Sequence, residues 1–176
     1  MDATEVSGQL STSTWSDVAS AYRRHSADIA ALALLLSGSR ETAEDLVQEA
    51  FIRLAGRFGH IRNKDQLLAY LRRTVINLHL SRLRRLRLER AWLSRHSGAT
   101  STVSEDADFA AHADLVRALR LLAPRQRVAV ILRYCLDFSE TQVADAMGCS
   151  TSAARNLVER GIRRLREVGG ANERHS

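Results

Sequence analysis

Apolar residues recur at steps of three and four along almost the whole chain, and two-residue alternation is nearly absent. The pattern predicts helices throughout. Ser16 caps a first helix running to about Ser37, with Val18, Ala21, Ile29, Leu32 and Leu36 on its inner side. Gly38 is placed to end it. Ser39 caps a second helix, whose inner set is Ala43, Leu46, Val47, Ala50, Phe51 and Leu54. The stretch 56–63 breaks the period and reads as a loop. A long helix follows from about Asp65 to Leu93. Leu68, Leu71, Val75 and Leu78 face inward, and most of its arginines lie outside that stripe.

Residues 94–104 are small, polar and aperiodic, the composition of a linker. Four shorter helical patterns come after it: about Asp106 to Leu122, Pro124 to Leu136, Ser139 to Met147, and Thr151 to Val168. Pro124 suits a first helical turn, where its missing N–H is not needed. The expected fold is all-α, with two small helical domains joined by a flexible linker. The expected boundaries are a disordered segment 1–13, a domain 14–93, a linker 94–105, a second domain 106–170 and a tail 171–176.

The sharpest local pattern is Ser139 to Arg166, which reads as a helix-turn-helix. Two helices cross closely only if a small residue sits on the first, and Ala144 supplies it. Gly148 falls in the turn, where φ is expected to be positive. Ser150 caps the second helix. On that helix Ser152, Arg155, Asn156, Glu159, Arg160 and Arg163 form one polar stripe, positioned to enter a major groove. An ordinary helical hairpin with a charged face is the competing reading.

Composition changes the picture through charge. Of the 176 residues, 26 are basic and 20 acidic, and a single basic residue, Lys64, is lysine. Residues 53–95 hold 12 basic side chains against 2 acidic, a local net of +10. Such a block repels itself and points to a polyanion. Arginine grips phosphate and the guanine edge with two parallel hydrogen bonds, although a GC-rich genome also favours it. On the long helix Asn77, Ser81, Arg84 and Arg85 share a broad face, with Tyr70 and Phe58 placed to stack on exposed bases. A basic helix lying on a membrane surface is the alternative there. By contrast, Glu41, Glu44, Asp45, Gln48 and Glu49 cluster on the second helix. Either they favour the helix N-terminus through its dipole, or they form a docking face for a protein.

Enzyme chemistry finds no foothold. The six histidines lack metal-ligand spacing, no glycine-rich phosphate loop occurs, and Cys135 and Cys149 form no CxxC pair. The expectation is a protein that is not an enzyme, without metal or cofactor. Asp2 and Glu5 stand where a secretory leader needs positive charge, and no uncharged apolar run approaches the length of a membrane span. A reduced, cytoplasmic setting without membrane insertion is expected.

Four segments in order resemble the extracytoplasmic-function (ECF) sigma factors, the two-domain bacterial members of the sigma-70 class. Ala43-Glu-Asp-Leu-Val-Gln-Glu-Ala-Phe51 is similar to their AEDLVQExF segment. Leu67 to Arg85, ending Asn77-Leu-His-Leu-Ser-Arg-Leu-Arg-Arg85, resembles their WLxxIAxNxxxDxxRR helix. Leu119 to Arg133 resembles LxxLPxxxRxxxxLR, and Ser139 to Arg166 resembles SxxEIAxxLGxSxGTVKSxxxRAxxxLR.

The resemblance implies a promoter-specificity subunit of RNA polymerase. Residues 14–93 would be region 2-like and 106–170 region 4-like. Asp45, Gln48, Glu49 and Arg53 would dock on the clamp helices of core RNA polymerase, whose flap is a second contact. Phe58, Arg62, Asn63, Arg73, Asn77, Ser81, Arg84 and Arg85 would take the melted minus-10 strand, the 58–63 loop forming a pocket for a flipped base. Thr151, Ser152, Arg155, Asn156, Glu159, Arg160 and Arg163 would read the minus-35 duplex. An anti-sigma factor is a further partner the class admits. Tyr70 stands where the family usually has Trp, Ser81 where Asp is common, and Ala154-Arg155-Asn156 replaces Val-Lys-Ser. These departures bear on the promoter sequence, not on the class. A stand-alone helix-turn-helix regulator is the alternative function.

Reach agrees with this picture. A linker of this length extends at most roughly 40–45 Å, and two elements about 25 base pairs apart lie roughly 85 Å apart at about 3.4 Å per pair. Both domains must therefore be spread along the DNA by a scaffold.

Overall fold

The computed structural model describes residues 12–61, 66–93 and 113–172. Among them the chain is helical, with no strand: α1 (Thr12–Ser37), α2 (Arg40–Arg57), α3 (Leu67–Leu93), α4 (Ala113–Arg120), α5 (Pro124–Tyr134), α6 (Glu140–Met147) and α7 (Thr151–Asn172). A 3-10 turn, Phe58–His60, follows α2. The expected linker and both chain ends fall largely or wholly outside the described residues.

The expected punctuation holds at most junctions. Gly38 has φ +68° and ends α1. Ser39 caps α2, its hydroxyl accepting from the Thr42 N–H at 3.4 Å. Several boundaries differ from the sequence reading; α7, for one, runs to Asn172 and not to about Val168. α1 begins at Thr12, so Ser16 is inside it and not its cap. Trp15 and Val18, three residues apart, both line a groove against α2, so the amphipathic stripe starts before Ser16. α2 runs through Gly56, and the expected loop starts as a 3-10 turn because Ala55 and Phe58 are both drawn into the core.

α1, α2 and α3 pack as a three-helix unit around Ile29, Leu36, Leu54, Leu71 and Val75. α4 to α7 pack around Leu119, Val128, Ile131, Leu132 and Val143. Each such side chain contributes about 1.5–3 kcal/mol by leaving water.

The two halves also touch. α4 and α5 lie against α1, and α6 lies against α3. The centre of this contact is Arg127 on α5, 8% exposed. Its guanidinium donates from Nε to Leu119 O at 2.9 Å, from Nη2 to Arg120 O at 3.2 Å and from Nη1 to Ser37 O at 2.9 Å. Arg120 Nε donates to Gly38 O at 2.6 Å. These acceptors lie at the C-terminal ends of α1 and α4, where unpaired carbonyls carry the negative end of the helix dipole. A buried cation is thus held by backbone carbonyls. Gly38 is required for the approach: a Cβ there would sit 2.5 Å from Arg127 Nη1. Burial and then Arg120 depress the Arg127 pKa.

Candidate nucleic-acid interface and docking face

The helix-turn-helix is built from neighbours in sequence. Ser139 accepts from the Gln142 N–H at 3.2 Å, while the Gln142 side chain accepts from the Ser139 N–H at 2.8 Å, a reciprocal capping box on α6. Gly148 has φ +60°, and the Cys149 N–H returns to Ala144 O at 3.0 Å. Ser150 caps α7 through the Ala153 N–H at 3.2 Å. Ala144 and Ala154 are buried, which lets α6 and α7 cross closely.

Thr151, Ser152, Arg155, Asn156, Glu159, Arg160 and Arg163 are all exposed along α7. They form the free face that the sequence pattern predicts. Arg155 is not idle on it: its guanidinium makes a two-pronged ion pair with Glu140 on α6, the shortest contact being Nη2 to Oε2 at 2.7 Å. Hydrogen bonding from Arg155 holds the Glu140 carboxyl below its usual range, and the same bond raises Arg155.

On α3, Arg73, Asn77, Ser81, Arg84 and Arg85 are exposed and follow steps of four, four, three and one, a stripe down one side of the helix. Arg62 and Asn63 lie outside the described residues. Phe58 requires a correction: it is 8% exposed and part of the core, so its ring is not free to stack on a base. Ala55 and Phe58, three residues apart, continue the buried stripe of α2 past the expected loop start. Tyr70 is half-buried and packs against the core.

On α2, Asp45, Gln48 and Arg53 are exposed and Glu49 is partly so. Glu49 pairs with Arg53 at 2.8 Å, and Arg82 of α3 reaches Asp45 at 3.3 Å. Asp45, Gln48 and Glu49 line a groove of about 530 Å³ whose other wall is Ser81, Arg82 and Arg85. The docking residues and the foot of the α3 stripe therefore share one cleft. On its other side α2 forms a larger apolar groove with α1, about 1130 Å³, walled by Trp15, Tyr22, Val47 and Phe51.

Four residues escaped sequence reasoning. Arg127 and Glu140 act through partners 90 and 15 positions away, and no periodic pattern marks such pairs. His79 is 5% exposed, with neither ring nitrogen hydrogen-bonded. Its pKa falls to about 4, through burial first and then the charges of Arg127 and Arg82. Gly161 is buried in mid-α7, where a Cβ would meet Val130 Cγ2 at 2.6 Å. A glycine inside a strong helical pattern was the available signal for that close approach.

Residues 21–89 match the family described as sigma-70 region 2, and residues 112–165 match sigma-70, region 4. The chain is 36% identical over 128 residues to the RNA polymerase sigma-E factor of Streptomyces avermitilis, covering 71% of this chain and 69% of the relative. It is 30% identical over 174 residues to the ECF RNA polymerase sigma factor SigG of Mycobacterium tuberculosis, covering 84% of this chain and 46% of that one. Among solved structures, the sigma factor RpoE of Bartonella quintana, crystallised with the anti-sigma factor NepR, superposes with a TM-score of 0.60 at 26% identity. That superposition covers 86% of this chain and 95% of the other. The chain belongs to the sigma-70 family, in its ECF group. It is a transcription-initiation factor and not an enzyme. No helix among the described residues is long and apolar enough to cross a membrane.

Proposed function

We propose that the chain works in the cytoplasm as a promoter-specificity subunit, dividing its tasks between residues 14–93 and 106–170. Asp45, Gln48, Glu49 and Arg53 dock on core polymerase. Arg73, Asn77, Ser81, Arg84 and Arg85, with Arg62 and Asn63, hold the melted minus-10 strand; an amide such as Asn77 pairs with base edges that only melting exposes. The α7 face reads the minus-35 duplex, Arg155 near the bases and Arg160 nearer the phosphates. Phe58 has a core role instead.

The observation that carries this reading is the α7 face. Seven polar residues stay exposed on a helix whose entry is fixed by the capping box and Gly148. Shared exposure of a docking cleft and a basic stripe in the other half supports the division of labour. The Arg127 contact holds the halves together, whereas the promoter elements lie roughly 85 Å apart at about 3.4 Å per base pair. Polymerase binding must therefore open that contact. Run-off transcription with purified core polymerase on a genomic promoter library tests the function. Transcripts that start at a common pair of elements only when the protein is added are expected. Tight sequence-specific DNA binding without polymerase, and no change in start sites with it, would favour a stand-alone regulator.

A further inference from the structure

Arg155 is the residue of α7 given to base reading, and its guanidinium is already occupied on one edge. Nε lies 3.2 and 3.1 Å from the two Glu140 oxygens, and Nη2 lies 2.7 Å from Oε2. Nε–H and the adjacent Nη2–H form the side edge of the planar group. The end edge, Nη1 with the outer Nη2–H, is left over. Two parallel donors on an end edge match the O6 and N7 acceptors of guanine in the major groove.

We propose that Glu140 is a positioning residue for promoter recognition: by gripping the side edge of Arg155 it aims the end edge at a guanine of the minus-35 element. The proposal rests on the reading of α7 given above. Glu140 opens α6 directly after its N-cap Ser139, so its local backbone is set by the capping box. Arg155 lies on the fifth residue of α7, near the end that enters the groove deepest. A carboxylate whose backbone is fixed on one helix thus restrains a long side chain on the next, and less rotamer freedom is lost when DNA binds. The carboxylate also has a cost, because it repels the phosphate backbone that surrounds the groove. Glu140 therefore raises discrimination while opposing non-specific affinity. Its influence is local, since the pair is exposed, with side chains 60% and 41% accessible, and such pairs add little to folding.

The test compares Glu140→Gln, Glu140→Asp, Arg155→Ala and the Glu140→Gln/Arg155→Ala pair, each as full-length protein with core polymerase. The promoter library is randomised across the minus-35 element and transcribed at two salt concentrations. Arg155→Ala removes the guanine preference at one base pair. Glu140→Gln lowers the preference at that same pair by about 5- to 20-fold, part of the discrimination of a two-pronged contact. It leaves other positions and the unfolding midpoint unchanged, and it tightens binding to non-promoter DNA. Glu140→Asp keeps part of the preference, and the double variant has the base-preference profile of Arg155→Ala alone, with tighter binding to non-promoter DNA. A Glu140→Gln profile that is unchanged, uniformly lowered or altered at a different base pair overturns the positioning role, even though Arg155→Ala retains its effect. An Arg155→Ala profile without a position-specific change overturns the base-reading assignment itself, and the inference with it.

Discussion

The C-terminal half sets its recognition helix with bonds between near neighbours, whereas the N-terminal half sets its α3 stripe by packing three long helices. Ser139 with Gln142, Gly148 with Ala144 and Ser150 with Ala153 are three to four residues apart, and together they fix the α6–α7 turn. In the N-terminal half, Ile29, Leu54, Leu71 and Val75 come from three helices, and no local bond aims Asn77 or Ser81. A duplex reader needs one rigid side-chain geometry. A face that holds a melted, flexible strand does not, because bases can move to meet it. Local encoding in one half and distributed packing in the other fit those two tasks. The halves then meet where Arg127 and Arg120 donate to the carbonyls that end α1, with α6 also lying against α3.

The comparison breaks most severely at Gly161. Gly161→Leu would drive a side chain into Val130, 2.6 Å from its Cβ, and should destabilise the C-terminal half by about 3 kcal/mol. Hydrogen exchange should show α5, α6 and α7 losing protection while α1 to α3 keep theirs. Equal loss in both halves would mean that they fold as one unit.

Arg127→Met keeps the volume and removes the three bonds to Leu119, Ser37 and Arg120, at a cost of about 2 kcal/mol. Its larger consequence should be separation of the halves, seen as an increased radius of gyration in solution scattering with helix content unchanged. Transcription at saturating core polymerase should persist, because the proposed action of polymerase is to open this contact. A radius that stays at the wild-type value would show that apolar contacts, not the cation, join the halves.

His79 adds a pH dependence to the same contact. Its pKa is about 4 in the folded chain against an ordinary 6.5, so the unfolded chain takes up a proton that the folded chain refuses. Stability should fall as pH drops through 6.5 and should level off only below about 4. By pH 5.5 the loss is about 1.5 kcal/mol. Chemical denaturation at pH 7.5 and 5.5 measures it, and His79→Gln should flatten the difference. Arg127→Met should shrink it, since one opposing charge is gone. A slope that His79→Gln leaves intact would place the titrating group elsewhere.

These particulars also show what the sequence carried. The helices, the αL glycines and the caps at Ser39 and Ser150 follow from residues a few positions apart, so pattern and propensity suffice. The basic block of residues 53–95 and the exposed α7 face were legible for the same reason. Phe58 was misplaced because a 3-10 turn and an open loop share the same glycines, and only packing decides between them. Arg127 reads as one more surface arginine until the end of α1 is brought beside it. Its burial is a fact of tertiary structure, as is the isolation of His79.

The smallest expected effect on folding belongs to the docking face. Asp45→Ala with Gln48→Ala removes one exposed contact, that of Asp45 with Arg82 at 3.3 Å, and touches no core residue. Stability should change by about 0.5 kcal/mol or less. Core-polymerase binding should nevertheless weaken, measured by co-purification with equal amounts of folded protein, because both side chains line the cleft given to docking. The same pair should leave duplex binding by α7 untouched, since that face is built wholly within the C-terminal half. Undiminished polymerase binding would remove the docking assignment, and the acidic cluster would revert to a helix-dipole role at the start of α2, where Glu41 already stands in the first turn.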